Sequence, residues 1–397
     1  MRYGDGIMIT GLSQSPSIPR EGWDRAPYNR WSFQHVREIL PTAEVWRGAG
    51  PASELPRKPR RLDEIRFQGE NGERSVGQFL DETYTDGFIV LHRGAVAFER
   101  YMNGMNERTL HLSQSVGKSL IGILVGIYQA RGWIDVDSPI TRYLPELAAT
   151  AYAGAKVQHV LDMTSGVAFD ETYTDPFSDI AKIDVACQWR PRPDDGRDWP
   201  ATVWDVVLGL KAREAEHGAR FSYRSIETDV LAFALERISG RRLPEIVSRD
   251  LWQPLGAEES ANYTVDAAGY ALADGGFNAT LRDYARFGEM LTQDGLFDGR
   301  QIVPSAWVRR CRRGDHDKFA GDYRIATPLG AYAQQFWLED HRTPVLLCRG
   351  VFGQLIYSDP AYGFTAVKLS SWPDFRNNKL LRETLAALNS IKKALNA

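Results

Sequence analysis

Hydrophobic and polar positions first fall into a regular rhythm over residues 86–102, where FIVLH and AVAFERY are β-rich runs flanking Arg93-Gly94. Two such runs around a glycine-containing turn predict a hairpin. Residues 116–131 follow as a helix closed by Gly132, and the stretch Leu120-Ile-Gly-Ile-Leu-Val-Gly-Ile-Tyr128 is apolar on nearly every side. That run is about half of the ~20 residues a bilayer span needs, so a buried helix is the expectation. Apolar positions recur at helical spacing over residues 226–239, where Gly240 supplies a C-cap, and again over 281–291. The β rhythm returns at 333–338, 346–357 and 363–370, and an amphipathic helix over 379–395 closes the chain. Residues 1–60 have no such rhythm; rich in Pro, Gly, Ser and Arg, they read as an irregular arm with one short helix near 32–40.

Early strands, a helical middle, late strands and a final helix predict an α+β protein with an antiparallel sheet flanked by helices. Its α/β lobe takes residues 61–125 and 266–397, a mainly helical lobe takes 126–265, and the arm takes 1–60.

Composition narrows the function classes. At 397 residues the chain exceeds what a single core usually organises, and 43% hydrophobic with 25% charged residues is ordinary for a globular protein. A net charge of -3 gives no general reason to bind nucleic acid or an anionic membrane, and Arg57-Lys58-Pro59-Arg60-Arg61 reads as a solvated turn. Cys187, Cys311 and Cys348 are odd in number and lack a CxxC, against a disulfide framework or structural zinc. The seven histidines show no metal-ligand spacing, and His316 sits in a polar loop. No metal or cofactor is expected. The N-terminus lacks the basic start and apolar run of a secretory signal, so the cytoplasm is the expected compartment.

Gly117-Lys118-Ser119 resembles the end of a phosphate-binding loop, but Leu112 stands where that loop needs its first glycine. The same residues fit nucleophilic chemistry better. Ser115-Val-Gly-Lys118 opens the apolar helix, and residues i and i+3 share a helix face, so the amine can reach the hydroxyl. A lysine kept neutral by burial or nearby cations can take the serine proton. The competing reading is an N-cap serine beside a solvated lysine; a lysine opening so buried a helix speaks against it. Tyr223, in Phe221-Ser-Tyr-Arg-Ser225, completes a set in which a phenol shuttles the proton, although a lone loop tyrosine is more often a core residue.

The order Ser115-Val-Gly-Lys118, Leu161-Asp-Met-Thr-Ser-Gly166, Tyr223-Arg-Ser225 resembles the penicillin-recognising serine hydrolases, which include class C β-lactamases, DD-peptidases and family VIII carboxylesterases. The resemblance covers roughly residues 75–395 and implies the β-lactamase/transpeptidase-like fold. Within that superfamily the chain is similar to the 6-aminohexanoate-dimer hydrolases, on Ala26-Pro-Tyr-Asn-Arg-Trp31, Thr172-Tyr-Thr-Asp-Pro176, Thr228-Asp-Val-Leu-Ala232 and Val367-Lys-Leu-Ser-Ser-Trp-Pro-Asp374. It implies Ser115 as the acylated nucleophile, Lys118 as its base and Tyr223 as the shuttle. Tyr173 would close over the substrate and bond the scissile amide nitrogen. Asp184 would face a substrate's amino end, with a plain surface aspartate as the equal alternative.

Two positions depart from the family pattern. Ser225 stands where asparagine is common. Phe352-Gly353-Gln354 stands where a basic residue, a small residue and glycine are common. Without that basic group, penicillinase and DD-peptidase activity are not expected, and Phe352 and Gly353 would form an apolar pocket wall. Leu355 would supply an oxyanion N–H beside that of Ser115. Asp274 falls in a stretch that is variable at the family's substrate pocket and is given no catalytic role. The expected partner is a small ester or linear amide, with no nucleic acid and no membrane; a homodimer enters by analogy alone. The alternative function is a catalytically silent small-ligand binder on the same scaffold.

Overall fold

The structure, a computed structural model, describes residues 18–70 and 72–397. The signal-peptide reading of the N-terminus and the first part of the arm therefore lie largely outside the described residues. The predicted hairpin forms strands β1 (Thr85–His92) and β2 (Ala95–Tyr101). Arg93 and Gly94 between them both take positive φ, 50° and 78°, the geometry that matches the twist of a two-residue hairpin.

Five further strands, β3 (Ala331–Ala333), β4 (Phe336–Leu338), β5 (Leu346–Gly350), β6 (Gln354–Asp359) and β7 (Phe364–Ser370), complete one antiparallel sheet. Its order is β3-β4-β5-β6-β7-β1-β2, so β7 from the C-terminal part pairs with β1 from the N-terminal part. Two apolar runs expected as single strands are in fact hairpins. The run 333–338 is broken at Gln334 and Gln335, both at positive φ. The run 346–357 is broken by a turn at Val351–Gly353, where Phe352 (φ 61°) and Gly353 (φ 88°) leave extended geometry.

Helix α1 (Gly117–Ala130) is buried from Gly117 through Tyr128. Its glycines are contact points: a Cβ on Gly122 would lie 2.2 Å from the Gln334 carbonyl, and one on Gly126 2.2 Å from the Trp307 ring. Helix α2 (Ile226–Ser239) ends on Gly240 at φ 67°, as its sequence predicts. Helix α3 (Leu281–Thr292) packs on β6, β7 and β1, and α4 (Asn378–Leu395) closes the chain. The short helix expected near 32–40 is instead a turn of helix at Asn29–Ser32 and a 3-10 turn at Val36–Glu38.

The described part of the arm is less irregular than its composition suggests. Thr42–Val45 pairs with Ala261–Thr264 at the edge of a four-stranded sheet that also contains Phe277–Ala279 and His111–Leu112. Trp23 and Phe33 are fully buried. One connected apolar cluster runs from Trp23 to Ile391, and α1 lies within it.

Candidate active site

The short strand His111–Leu112 delivers the chain to Ser115. Leu112 N–H donates to Phe33 O (2.8 Å), and both Ser113 N–H and Ser113 Oγ reach Phe277 O at 3.0 Å. Gln114 then takes φ 51°, an unfavourable conformation for a side chain with a Cβ. This turn swings Ser115, which keeps some solvent contact, to the start of the buried α1.

Lys118 does not spend its hydrogen bonds on Ser115. Its Nζ donates to the Asp274 carbonyl (2.6 Å) and to Ser225 Oγ (3.1 Å), with Asp274 Oδ2 at 3.7 Å and the Tyr223 ring centroid at 5.5 Å. Burial disfavours its charge, yet Tyr223, Asp274, Glu171 and Asp229 outweigh burial and hold its pKa above the ordinary lysine value. The expectation of an amine kept neutral by burial or nearby cations is therefore corrected: the groups around it are acids and a phenol, and together they favour its ammonium form. Asp229 and Asp274 are both raised, first by burial, and Asp274 pushes Asp229 further. Like charges in one buried site disfavour each other's ionisation, which adds to the effect of burial.

Tyr223 is held by packing. Its ring stacks on Trp337 (centroids 5.3 Å, 26°), and its backbone N–H donates to Tyr323 Oη at 2.9 Å. The Leu161–Gly166 stretch buttresses this loop: Met163 O accepts from Ser222 N–H (3.0 Å) and Arg224 (3.3 Å), while Asp162 and Leu161 O accept from Gln334 and Gln335 N–H. Burial raises the Tyr223 phenol pKa, with Glu171 and Asp274 adding to it; the Lys118 charge and a hydrogen bond with Ser115 act in the other direction.

Glu171 joins the set although nothing in the sequence singled it out. Its Oε1 accepts from Tyr173 Oη (2.7 Å) and Ser225 Oγ (2.5 Å), and its Oε2 accepts from Ser225 N–H (2.9 Å). One carboxylate thus ties Tyr173 to the residue that replaces the common asparagine, and Ser225 passes the contact on to Lys118. Ser225 Oγ donates to the carboxylate while accepting from Lys118.

These groups converge on a cavity of about 310 Å³ whose lining includes Ser115, Tyr173, Tyr223, Trp337, Gly353 and Leu355. A sequence model of the beta-lactamase family matches residues 74–389, most of the chain. The chain belongs to the beta-lactamase family. It is a serine hydrolase. It is 38% identical over 357 residues to the "6-aminohexanoate-dimer hydrolase" of Paenarthrobacter ureafaciens, covering 89% of this chain and 88% of that protein. Among solved structures, it resembles the "Putative 6-aminohexanoate-dimer hydrolase from Bacillus anthracis" with a TM-score of 0.88 and 28% identity, over 97% of this chain and 99% of that one. A family VIII carboxylesterase shares the fold at a TM-score of 0.60 and 15% identity, over 79% of this chain and 95% of that one.

Within this beta-lactamase-family frame, the remaining expected residues separate. Gly353 and Leu355 line the cavity, but the Phe352 side chain does not. It is 1% exposed and packs between Phe33 (5.3 Å) and Phe375 (5.2 Å). The positive φ at Phe352 turns its side chain into the core, so the expected apolar wall at this position is corrected. Arg349 and Arg376 stand on the lining instead, which makes that side of the cavity cationic.

Asp184 is also placed off the lining. Its carboxylate pairs with Arg190 at 3.0 Å, and burial pushes its pKa up to about 7 against the pull of Arg190. Asp274 faces Lys118 from behind the cavity, 5% exposed. Glu171, sitting between Asp170 and Thr172, and Arg349, inside an apolar strand, carry no local pattern that marks them. Among the described residues no helix is long and apolar enough to cross a membrane.

Proposed function

We propose that this serine hydrolase cleaves small carboxylic esters and linear amides of the 6-aminohexanoate-oligomer type through an acyl-enzyme at Ser115. The observation that carries this reading is the meeting of Ser115, Tyr223 and Tyr173 on one cavity, with Lys118 held behind Tyr223. The name of the Paenarthrobacter relative, at 38% identity, supports the amide side of it.

The Lys118–Tyr223 pair becomes a base when it gives up one proton, leaving the ammonium to stabilise the phenolate. Ser115 Oγ attacks the substrate carbonyl as its proton passes to Tyr223 Oη. The N–H groups of Ser115 and Leu355 receive the developing oxyanion. The bond to the leaving amine or alkoxide breaks as Tyr223 returns that proton to it. Water then attacks the acyl ester and gives a proton to the same pair, which passes it to Ser115 Oγ as the acyl bond breaks and the acid leaves. Tyr173 donates its own proton to Glu171, so its oxygen is free to accept the N–H of a scissile amide. This arrangement orients the nitrogen lone pair for protonation.

A fluorophosphonate probe should label Ser115, and Ser115→Ala should abolish turnover of p-nitrophenyl acylates and of the 6-aminohexanoate dimer. An unlabelled Ser115 together with parent-like turnover in Ser115→Ala would refute the proposal.

A further inference from the structure

The cavity holds a cation for which the chemistry above has no use. Arg349 lies in β5, partly buried, directly opposite Leu355 of β6 in the sheet register. Its guanidinium sits 4.4 Å over the Trp337 ring, the ring on which Tyr223 stacks. Trp337 therefore carries the proton shuttle and this arginine together. Apart from burial, the groups that act on Arg349 are Tyr223 and Arg376; no carboxylate among the described residues does so. Asp322, the acid on the cavity lining, is not among them.

Arginines shielded to this degree elsewhere in the chain are answered by acids or by backbone and amide oxygens, as Arg47 is by Ala257 O and Arg310 by Gln158 Oε1. Arg224 pairs with Glu214 at 2.5 Å, Arg282 with Glu99 at 2.6 Å, and Arg286 with Asp283 at 3.0 Å. A partly desolvated charge without a partner is costly, so an unanswered guanidinium facing a cavity marks a place where an anion belongs. Burial, with Arg376 nearby, draws its pKa down to about 10, as expected for a cation lacking a counter-ion. A guanidinium differs from an ammonium in presenting parallel N–H donors that match a planar carboxylate.

We propose that Arg349 anchors a carboxylate of the substrate, so that this hydrolase selects esters or linear amides carrying an anionic end. The proposal rests on the reading of Ser115 as the nucleophile of the same cavity. The basic group absent at Phe352 is thereby supplied three residues earlier in the chain, from β5.

Two matched pairs test it: p-nitrophenyl hexanoate against mono-p-nitrophenyl adipate, and N-hexanoyl-6-aminohexanoate against its terminal carboxamide. The first pair varies charge on the acyl side, the second on the leaving side. In at least one pair the anionic member should have the higher kcat/KM, and Arg349→Met should reduce that preference by about ten- to a hundredfold. Arg349→Lys should keep an intermediate preference. No preference in either pair, or an equal fall for both members in Arg349→Met, overturns the proposal.

Calorimetric titration of Ser115→Ala with hexanoate and hexanamide separates this proposal from the hydrolase reading. Hexanoate should bind more tightly, and adding Arg349→Met should remove the difference. If no substrate is turned over but this difference holds, the hydrolase reading fails and the anchor stands. Equal binding of acid and amide removes the anchor.

Discussion

Replacing Glu171 by Gln tests whether the anions around Lys118 set the basicity of the site. The three bonds to this carboxylate, from Tyr173 Oη at 2.7 Å, Ser225 Oγ at 2.5 Å and Ser225 N–H at 2.9 Å, all donate to it. An amide keeps a single acceptor oxygen. If that oxygen stays on the obligatory Ser225 N–H, the NH₂ faces two hydroxyls, and Ser225 Oγ already accepts from Lys118. At least one charge-assisted bond is then lost, worth ~1.5–3 kcal/mol. Expressed fully in the transition state, this lowers kcat/KM by roughly ten- to a hundredfold. The charge change has a separate signature. Glu171 raises the pKa of both Lys118 and Tyr223, so removing it lowers both. Because the pair must lose a proton to act as base, the rising limb of the pH–rate profile should move to lower pH. The assay is kcat/KM for p-nitrophenyl butyrate from about pH 6 to about pH 10, with urea unfolding to check the fold. A lower rate with an unmoved limb would refute the electrostatic role and leave Glu171 as a loop anchor; an unchanged rate would refute both.

The other predictions concern the scaffold. Lys368 is buried in β7, and burial lowers its pKa to about 7 against the pull of Asp86. The folded value lies below the unfolded one, so this penalty is full below about pH 7 and is relieved as pH rises toward ~10.4. Lys368→Met should therefore gain more stability at about pH 6 than at about pH 9; a pH-independent gain would contradict this. Phe352→Ala should cost about 3–5 kcal/mol in denaturant unfolding, because the ring fills the space between Phe33 and Phe375. Phe352→His should create no new carboxylate preference, and its appearance in the ester panel would show that this side chain does reach the cavity. Gly126→Ala brings a methyl to within 2.2 Å of the Trp307 ring, whose Nε1 donates to Gly122 O at 3.0 Å. It should lower the melting temperature, with overpacking costing about 1–3 kcal/mol; a parent-like melting curve would show that Trp307 moves freely.

The elements carried by near neighbours were legible in the sequence. The β1–β2 hairpin, the buried α1 and the cap of α2 each follow from side chains within a few positions of one another, which is the range over which periodicity and turn chemistry act. The splitting of two late strands had weaker signals, Gln334-Gln335 and the Gly350–Gly353 spacing, each hidden inside an apolar run. The Ser115–Lys118 interval and the motif order pointed to the nucleophile, because a helical turn sets i and i+3 on one face.

What Lys118 does with its charge was not legible, since Glu171, Asp274 and the Tyr223–Asp229 segment come from three distant stretches of chain. The composition of the cavity wall was closed to the sequence for a related reason. A positive φ at Phe352 sends an expected wall residue into the core, while strand pairing sets Arg349 opposite Leu355. Sequence by itself determined the local elements and the candidate nucleophile. Only the tertiary structure decided protonation, pocket charge and the supporting carboxylate, because Coulomb interactions and cavity shape sum over residues that are close in space and remote along the chain.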